Sequence, residues 1–88
     1  MKYTIVFDAK ALKALDALDR TQTRLILAWI DKNLNGTDDP RILGKPLKGK
    51  LSSYWRYRVG QYRILVELLD KELIIVIISI GHRRDVYK

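Results

Sequence analysis

Three arginines flank a single glycine in the stretch Tyr54-Trp55-Arg56-Tyr57-Arg58-Val59-Gly60-Gln61-Tyr62-Arg63-Ile64-Leu65-Val66. A Gly-X pair between two alternating runs predicts a two-residue hairpin turn of type II′. With the turn at Gly60-Gln61, Val59 faces Tyr62 and Arg58 faces Arg63. Side chains alternate along each strand, so Arg56, Arg58 and Arg63 crowd one face while Trp55, Tyr57, Val59, Tyr62, Ile64 and Val66 fill the other. Like charges directly opposite one another destabilise a sheet. Guanidinium groups gathered this way call for an anion, and a phosphate ester fits their planar fork. For any one of these arginines a solvated strand face is the plainer reading; the clustering is what points to a ligand. Further cations bracket the hairpin. Lys48 and Lys50 lead into it, and Gly81-His82-Arg83-Arg84-Asp85-Val86-Tyr87 follows the last apolar run.

Several chemistries are closed to these residues. One histidine rules out a two-histidine ribonuclease mechanism, and no cysteine is present to join it in a zinc site. Glu67 and Asp85 are too few carboxylates for a two-metal nuclease, and no glycine-rich phosphate loop opens a helix after a strand. The remaining set is cationic: Arg56, Arg58, Arg63, Arg83 and Arg84, with His82 and Tyr87 beside the last two. Such a set can cleave RNA, whose 2′-hydroxyl is a built-in nucleophile. The protein has only to align it, take its proton and neutralise the charge growing on the phosphorane. Tyr87 can serve as base if neighbouring arginines favour its phenolate. Arg83 can stabilise or protonate the leaving 5′-oxygen, and Arg58 and Arg63 can hold the scissile phosphate. A tyrosine near the chain end is more often a packing residue.

The elements that must position these side chains follow from spacing. Lys2 to Phe7 reads as a short strand. Asp8 is placed to cap a helix in which Ala11, Leu12, Leu15 and Leu18 recur at helical spacing. Asp19-Arg20-Thr21 breaks it and caps a second helix through Leu25, Ile26, Trp29, Ile30 and Leu34, which Asn35-Gly36 ends in a left-handed stop. The short connection predicts an antiparallel helix pair with one apolar side, and Trp29 reads as core. Thr37 to Lys50, with Pro40, Gly44, Pro46 and Gly49, reads as a long loop or broken turn. Its charges, Arg41 and Lys45 among them, are either solvated or grip a strand of nucleic acid. After the hairpin, a turn at Asp70-Lys71-Glu72 leads to Leu73–Ile80, apolar on both sides and so an inner strand. Antiparallel pairing brings the end of that strand back beside Tyr62 and Arg63. The expected fold is α+β, β-α-α-β-β-β, with a mainly antiparallel sheet and the helix pair packed on the face of Trp55 and Ile64. Leu65 and one side of the last strand lie beside the arginines as an apolar surface for a protein partner to cover.

Composition sets the frame. The 88 residues make one domain over 1–88, with a hydrophobic fraction of 48% and a charged fraction of 31% typical of a folded chain. The net charge of +7 is unevenly placed: residues 1–40 carry six Lys/Arg and six Asp/Glu, residues 41–88 eleven and four. Segregation of this kind predicts a surface for a polyanion. With no cysteine, no signal-like segment and no apolar run long enough to span a bilayer, the expected setting is the cytoplasm, without contact with a membrane.

The order of elements, the hairpin motif Tyr54–Ile64 and the tail Gly81–Tyr87 resemble the RelE/ParE superfamily, specifically its RelE-like branch, over essentially the whole chain. The resemblance implies the toxin of a toxin–antitoxin pair, a ribosome-dependent endoribonuclease that cuts mRNA in the A site without metal or other cofactor. It also implies a cognate RelB-like antitoxin that wraps the toxin, the pair touching operator DNA only as a complex. By position, Arg63 matches the family's phosphate-binding arginine and Arg56 a strand site where some members carry a catalytic lysine. Arg83 matches the arginine after the last strand, and Tyr87 the C-terminal tyrosine. Tyr54 stands where some members have a second lysine, the tail is slightly shorter, and Arg83 and Arg84 compete for one role. His82 lies where a lysine can occur. With Lys48, Lys50, Arg58 and Arg84 it is placed among the RNA-binding residues, and Leu65 among those meeting the antitoxin. Two other readings remain open: a ParE-like inhibitor of DNA gyrase on the same fold, and a non-catalytic nucleic-acid-binding module.

Overall fold

Two aspartates start the two helices. In the computed structural model, which describes residues 1–47 and 53–82, the Asp8 carboxylate accepts from the Lys10 backbone N–H and begins α1, Ala9–Ala17. Asp19 accepts from the Gln22 N–H and begins α2, Arg20–Asn33. Each satisfies a donor that the first helical turn would leave bare. The stop after α2 is a left-handed Gly36, φ +77°. Its N–H reaches the Tyr3 carbonyl at 2.9 Å, and the Tyr3 N–H reaches the Thr37 carbonyl at 2.9 Å, so the exit of α2 is stitched to the start of β1, Thr4–Phe7.

The remaining strands are β2 (Lys45–Pro46), β3 (Tyr54–Val59), β4 (Tyr62–Leu69) and β5 (Ile74–His82). They form one five-stranded sheet in the order β1-β5-β4-β3-β2, with β1 parallel to β5 and every other pairing antiparallel. The hairpin has the expected register, Val59 against Tyr62 and Arg58 against Arg63. Gly60 has φ +60° and Gln61 is not positive, the pattern of a II′ turn. The apolar run is indeed an inner strand, between β1 and β4.

Leu12 and Leu25, read into the apolar side of the helix pair, are exposed, and two features of the sheet also depart from the expectation. The segment read as a loop over Thr37–Lys50 contains β2, two residues pairing Lys45 with Arg56 and Pro46 with Trp55. Proline is tolerated there because the strand is an edge. The second departure is a bulge: Leu65 pairs Ser79 while Val66 pairs Ile77, so Ile78 is an extra residue on β5. Strict alternation after Ile75 and Ile77 would turn Ser79 inward and bury its hydroxyl. With the bulge, Ile80 takes the inward place instead.

The core lies between the helices and one sheet face. Ala11, Leu15, Ile26 and Ile30 meet Tyr57, Ile64, Val66 and Ile77, all buried. The other face is left open by the helices. It bears Arg56, Arg58 and Arg63 toward the hairpin end with half-exposed Leu65 beside them, and Glu67, Val76 and Ile74 follow toward the other end.

Candidate functional site

β3 and β4 bring the arginines together by register alone. Arg58 stands directly opposite Arg63, and Arg56 lies two residues back along β3, opposite Leu65. Arg58 is exposed, whereas Arg56 and Arg63 are half-buried and the Arg63 Nε is shielded from solvent. Guanidinium groups set opposite one another on a strand pair favour an anion between them.

A cleft of about 460 Å³ opens here. Lys45, Arg56, Arg58 and Arg63 line it, and among the described residues no carboxylate does. Trp29 and Asn33 of α2 line it too, with Tyr57. These residues belong to opposite sides of the sheet, so the cleft passes round the edge of β3 beyond the point where β2 stops covering it. Sequence reasoning assigned Trp29 to the core. Its ring does meet Tyr57, with centroids 5.6 Å apart and planes tilted by 52°, but it is only partly buried and also forms a cleft wall.

The segment between α2 and β2 is held against the sheet by the polar ends of aromatic side chains. The Trp55 indole N–H donates to the Leu43 carbonyl at 2.7 Å, and the buried Tyr57 hydroxyl donates to the Pro40 carbonyl. Gly44, φ +77°, runs so close to β3 that a Cβ there would strike the Arg56 carbonyl and come within 2.8 Å of Trp55 Nε1. Arg41, read as either solvated or gripping a nucleic acid strand, is instead engaged within the fold while staying partly exposed. It forms a forked pair with Asp70, Nη1–Oδ1 3.0 Å and Nη2–Oδ2 2.9 Å, and its guanidinium lies 5.7 Å from the Trp55 ring centroid. Tyr3 donates its hydroxyl to the same carboxylate at 2.6 Å. Hydrogen bonds from Arg41 and Tyr3 hold the Asp70 carboxyl below its ordinary range. The same hydrogen bond to Asp70, then burial, raise the Tyr3 phenol. Tyr and Trp on a buried face need partners for O–H and N–H, and that was the available signal that this segment folds back onto β3.

Tyr57 also lines the cleft, yet it is no candidate base. Its hydroxyl is committed to Pro40, and burial drives its pKa far above the ordinary phenol range. His82 stands opposite Tyr62, with an edge-on ring contact at 5.7 Å, and this register sets it on the helix side of the sheet, away from the arginines. The expected grouping of His82 with them is therefore not what the strand pairing gives. Gly81 is the residue opposite Arg63, so β5 does end beside the cluster as expected. Lys48, Lys50, Arg83, Arg84 and Tyr87, which the sequence also points to, lie outside the described residues.

Comparison with known proteins agrees with this geometry. Residues 5–87 match the family described as the ParE toxin of type II toxin–antitoxin system, parDE. Toxin RelG of Mycobacterium tuberculosis is 30% identical over 88 residues, covering 100% of this chain and 99% of that protein. Among solved structures, the toxin–antitoxin complex RelBE2 of Mycobacterium tuberculosis superposes with a TM-score of 0.83 at 28% identity, covering 97% of this chain and 95% of that one. The isolated RelE toxin of E. coli gives 0.75 at 26% identity, covering 97% and 90%.

Proposed function

Because the chain belongs to the RelE/ParE superfamily of type II toxin–antitoxin toxins, we propose that it is a RelE-branch toxin, a ribosome-dependent endoribonuclease that cleaves mRNA in the A site. The observation that carries this reading is the basic cleft, where Arg56, Arg58 and Arg63 converge with Lys45. In the proposed reaction the 2′-hydroxyl attacks the adjacent phosphorus and the P–O5′ bond breaks. The products are a 2′,3′-cyclic phosphate and a 5′-hydroxyl. Arg58 and Arg63 neutralise the equatorial oxygens as charge grows on them, with Arg56 at the position of the catalytic lysine. By resemblance, Tyr87 takes the 2′-hydroxyl proton, and Arg83 or Arg84 meets the leaving oxygen. The nucleophile belongs to the substrate, so this route requires no cofactor.

The setting proposed is the cytoplasm. Complexes of the RelB–RelE type among the similar structures support a cognate RelB-like antitoxin here, and operator DNA would be met only through that complex. An acidic, amphipathic segment suits the open sheet face, with its arginines and the half-exposed Leu65 beside them. The match to a ParE toxin family favours one second reading, inhibition of DNA gyrase.

One experiment separates the two. In vitro translation with and without the protein, with primer extension on the mRNA, should give cuts within codons that persist in EDTA and vanish at a 2′-deoxy nucleotide. Tyr87→Phe should lose about 10²–10⁴ in rate while keeping ribosome affinity. Intact mRNA together with blocked supercoiling by gyrase would favour the second reading and overturn the first.

A further inference from the structure

The cleft does not end at the arginines. Round the edge of β3 its wall becomes Trp29 and Asn33, an aromatic ring and an amide that phosphate recognition does not require. The Asn33 amide is oriented by its own bond: Nδ2 donates to the Trp29 carbonyl at 3.0 Å. A carbonyl can only accept, so the nitrogen is fixed there and Oδ1 is turned away from it. Among the described residues Oδ1 has no donor, and the Trp29 indole N–H has no acceptor. Two residues of the cleft wall thus carry an aromatic ring together with a donor and an acceptor that the fold leaves uncommitted among the described residues. Four cations line the other end. A nucleotide has the same polarity, anionic at one end and flat with hydrogen-bonding edges at the other. The volume of about 460 Å³ lies in the range of small-ligand sites.

We infer that the α2 end of this cleft seats a nucleobase of the RNA, with Trp29 and Asn33 reading its edge while the arginines hold the adjoining phosphate. The inference rests on the reading of the same cleft as an RNA site, and it makes Trp29 and Asn33 binding residues. Stacking on aromatic side chains and edge hydrogen bonds are how unpaired bases are held.

The test reads binding without cleavage, so its outcome is independent of whether ribosomes are cut. The ¹⁵N-labelled protein is titrated with the four ribonucleoside 5′-monophosphates and with ribose 5-phosphate, which lacks the base. Each monophosphate should shift the Trp29 indole N–H resonance, and the tightest should bind about 5- to 100-fold better than ribose 5-phosphate. Ribose 5-phosphate should shift Arg58 and Arg63 signals and leave the indole in place. Trp29→Phe, which keeps a ring against Tyr57, and Asn33→Leu should each erase most of the base-dependent gain. Both should leave ribose 5-phosphate affinity unchanged, which also shows that the variants are folded. Equal affinities with and without the base, and an unmoved Trp29 resonance, would overturn the subsite even if mRNA cleavage is found. A ribosome assay that shows no cleavage, with the Trp29 shift present, would remove the nuclease reading and leave the subsite standing.

Discussion

Gly44→Ala offers a measurement in which the structure supplies its own control. Gly44 and Gly36 share the same backbone conformation, φ +77°. An alanine at either position pays the left-handed penalty of about 1–2 kcal/mol. At Gly36 nothing lies within 4 Å of the added Cβ, so that penalty is the whole effect. At Gly44 the Cβ meets the Arg56 carbonyl and comes within 2.7 Å of the Tyr57 ring. The carbonyl is part of β3 and cannot give way without disturbing the pairing of Lys45 with Arg56. Overpacking of this kind adds about 1–3 kcal/mol. Urea titration should therefore show a loss of about 1–2 kcal/mol for Gly36→Ala and about 2–5 kcal/mol for Gly44→Ala. For a domain of this size each kcal/mol is about 4–8 °C in Tm. Gly44→Ala should also weaken phosphate binding at the cleft, since the segment carrying Lys45 is pushed away from Arg56, whereas Gly36→Ala should not. Equal stability losses, with phosphate affinity untouched in both, would refute the close approach of this segment to β3.

Arg63→Ala should lower single-turnover cleavage on programmed ribosomes by about 10²–10³ and keep the fold, because it relieves the repulsion with Arg58; parental cleavage would remove the hairpin from the site. In titrations with the cognate antitoxin, Leu65→Asp should weaken binding more than Lys50→Ala, since a charge buried in an interface costs far more than one lost at a rim; equal effects would argue for another surface. The Asp70 carboxyl is held below its ordinary range by Arg41 and Tyr3, so its contribution is present above the unfolded pKa of about 4 and disappears as pH falls through the lower folded value. Asp70→Asn should thus be less stable than the parent at neutral pH, by about 1 kcal/mol or less for so exposed a pair, and the gap should close in acid unfolding curves.

The hairpin was legible because glycine, alternation and two-fold periodicity act locally: Gly60 fixed the turn, and the turn fixed which arginines meet. The helix starts were legible for the same reason, each resting on one aspartate and the next turn. The segment from Thr37 to Pro46 was not, since its order depends on partners distant in sequence, Asp70 for Arg41 and Trp55 for Leu43. Arg41 looked like one more cation near a basic hairpin, and only the fold shows it neutralised. Trp29 was half legible. Helical spacing predicts that it faces the sheet, but not that the edge of β3 leaves part of its ring open to a cleft.

The bulge at Ile78 gives β5 a spare residue. On either side of it the partners are Val66 with Ile77, and Leu65 with Ser79. Removing Ile78 would leave those pairings as they are and turn the stretch into an unbroken ladder, with Ile77 and Ile80 still inward. An inner strand usually tolerates no change of length, because a one-residue slip exchanges its two faces. Here the chain can lose a residue without exchanging them. What would change is twist and direction, which a bulge increases locally. The deletion would re-aim Gly81 and His82 relative to Arg63 while sparing the core. Ile78 thus works as an adjusting screw between a fixed scaffold and the end of the strand beside the arginines, and chain length at that one position becomes a means of tuning the site.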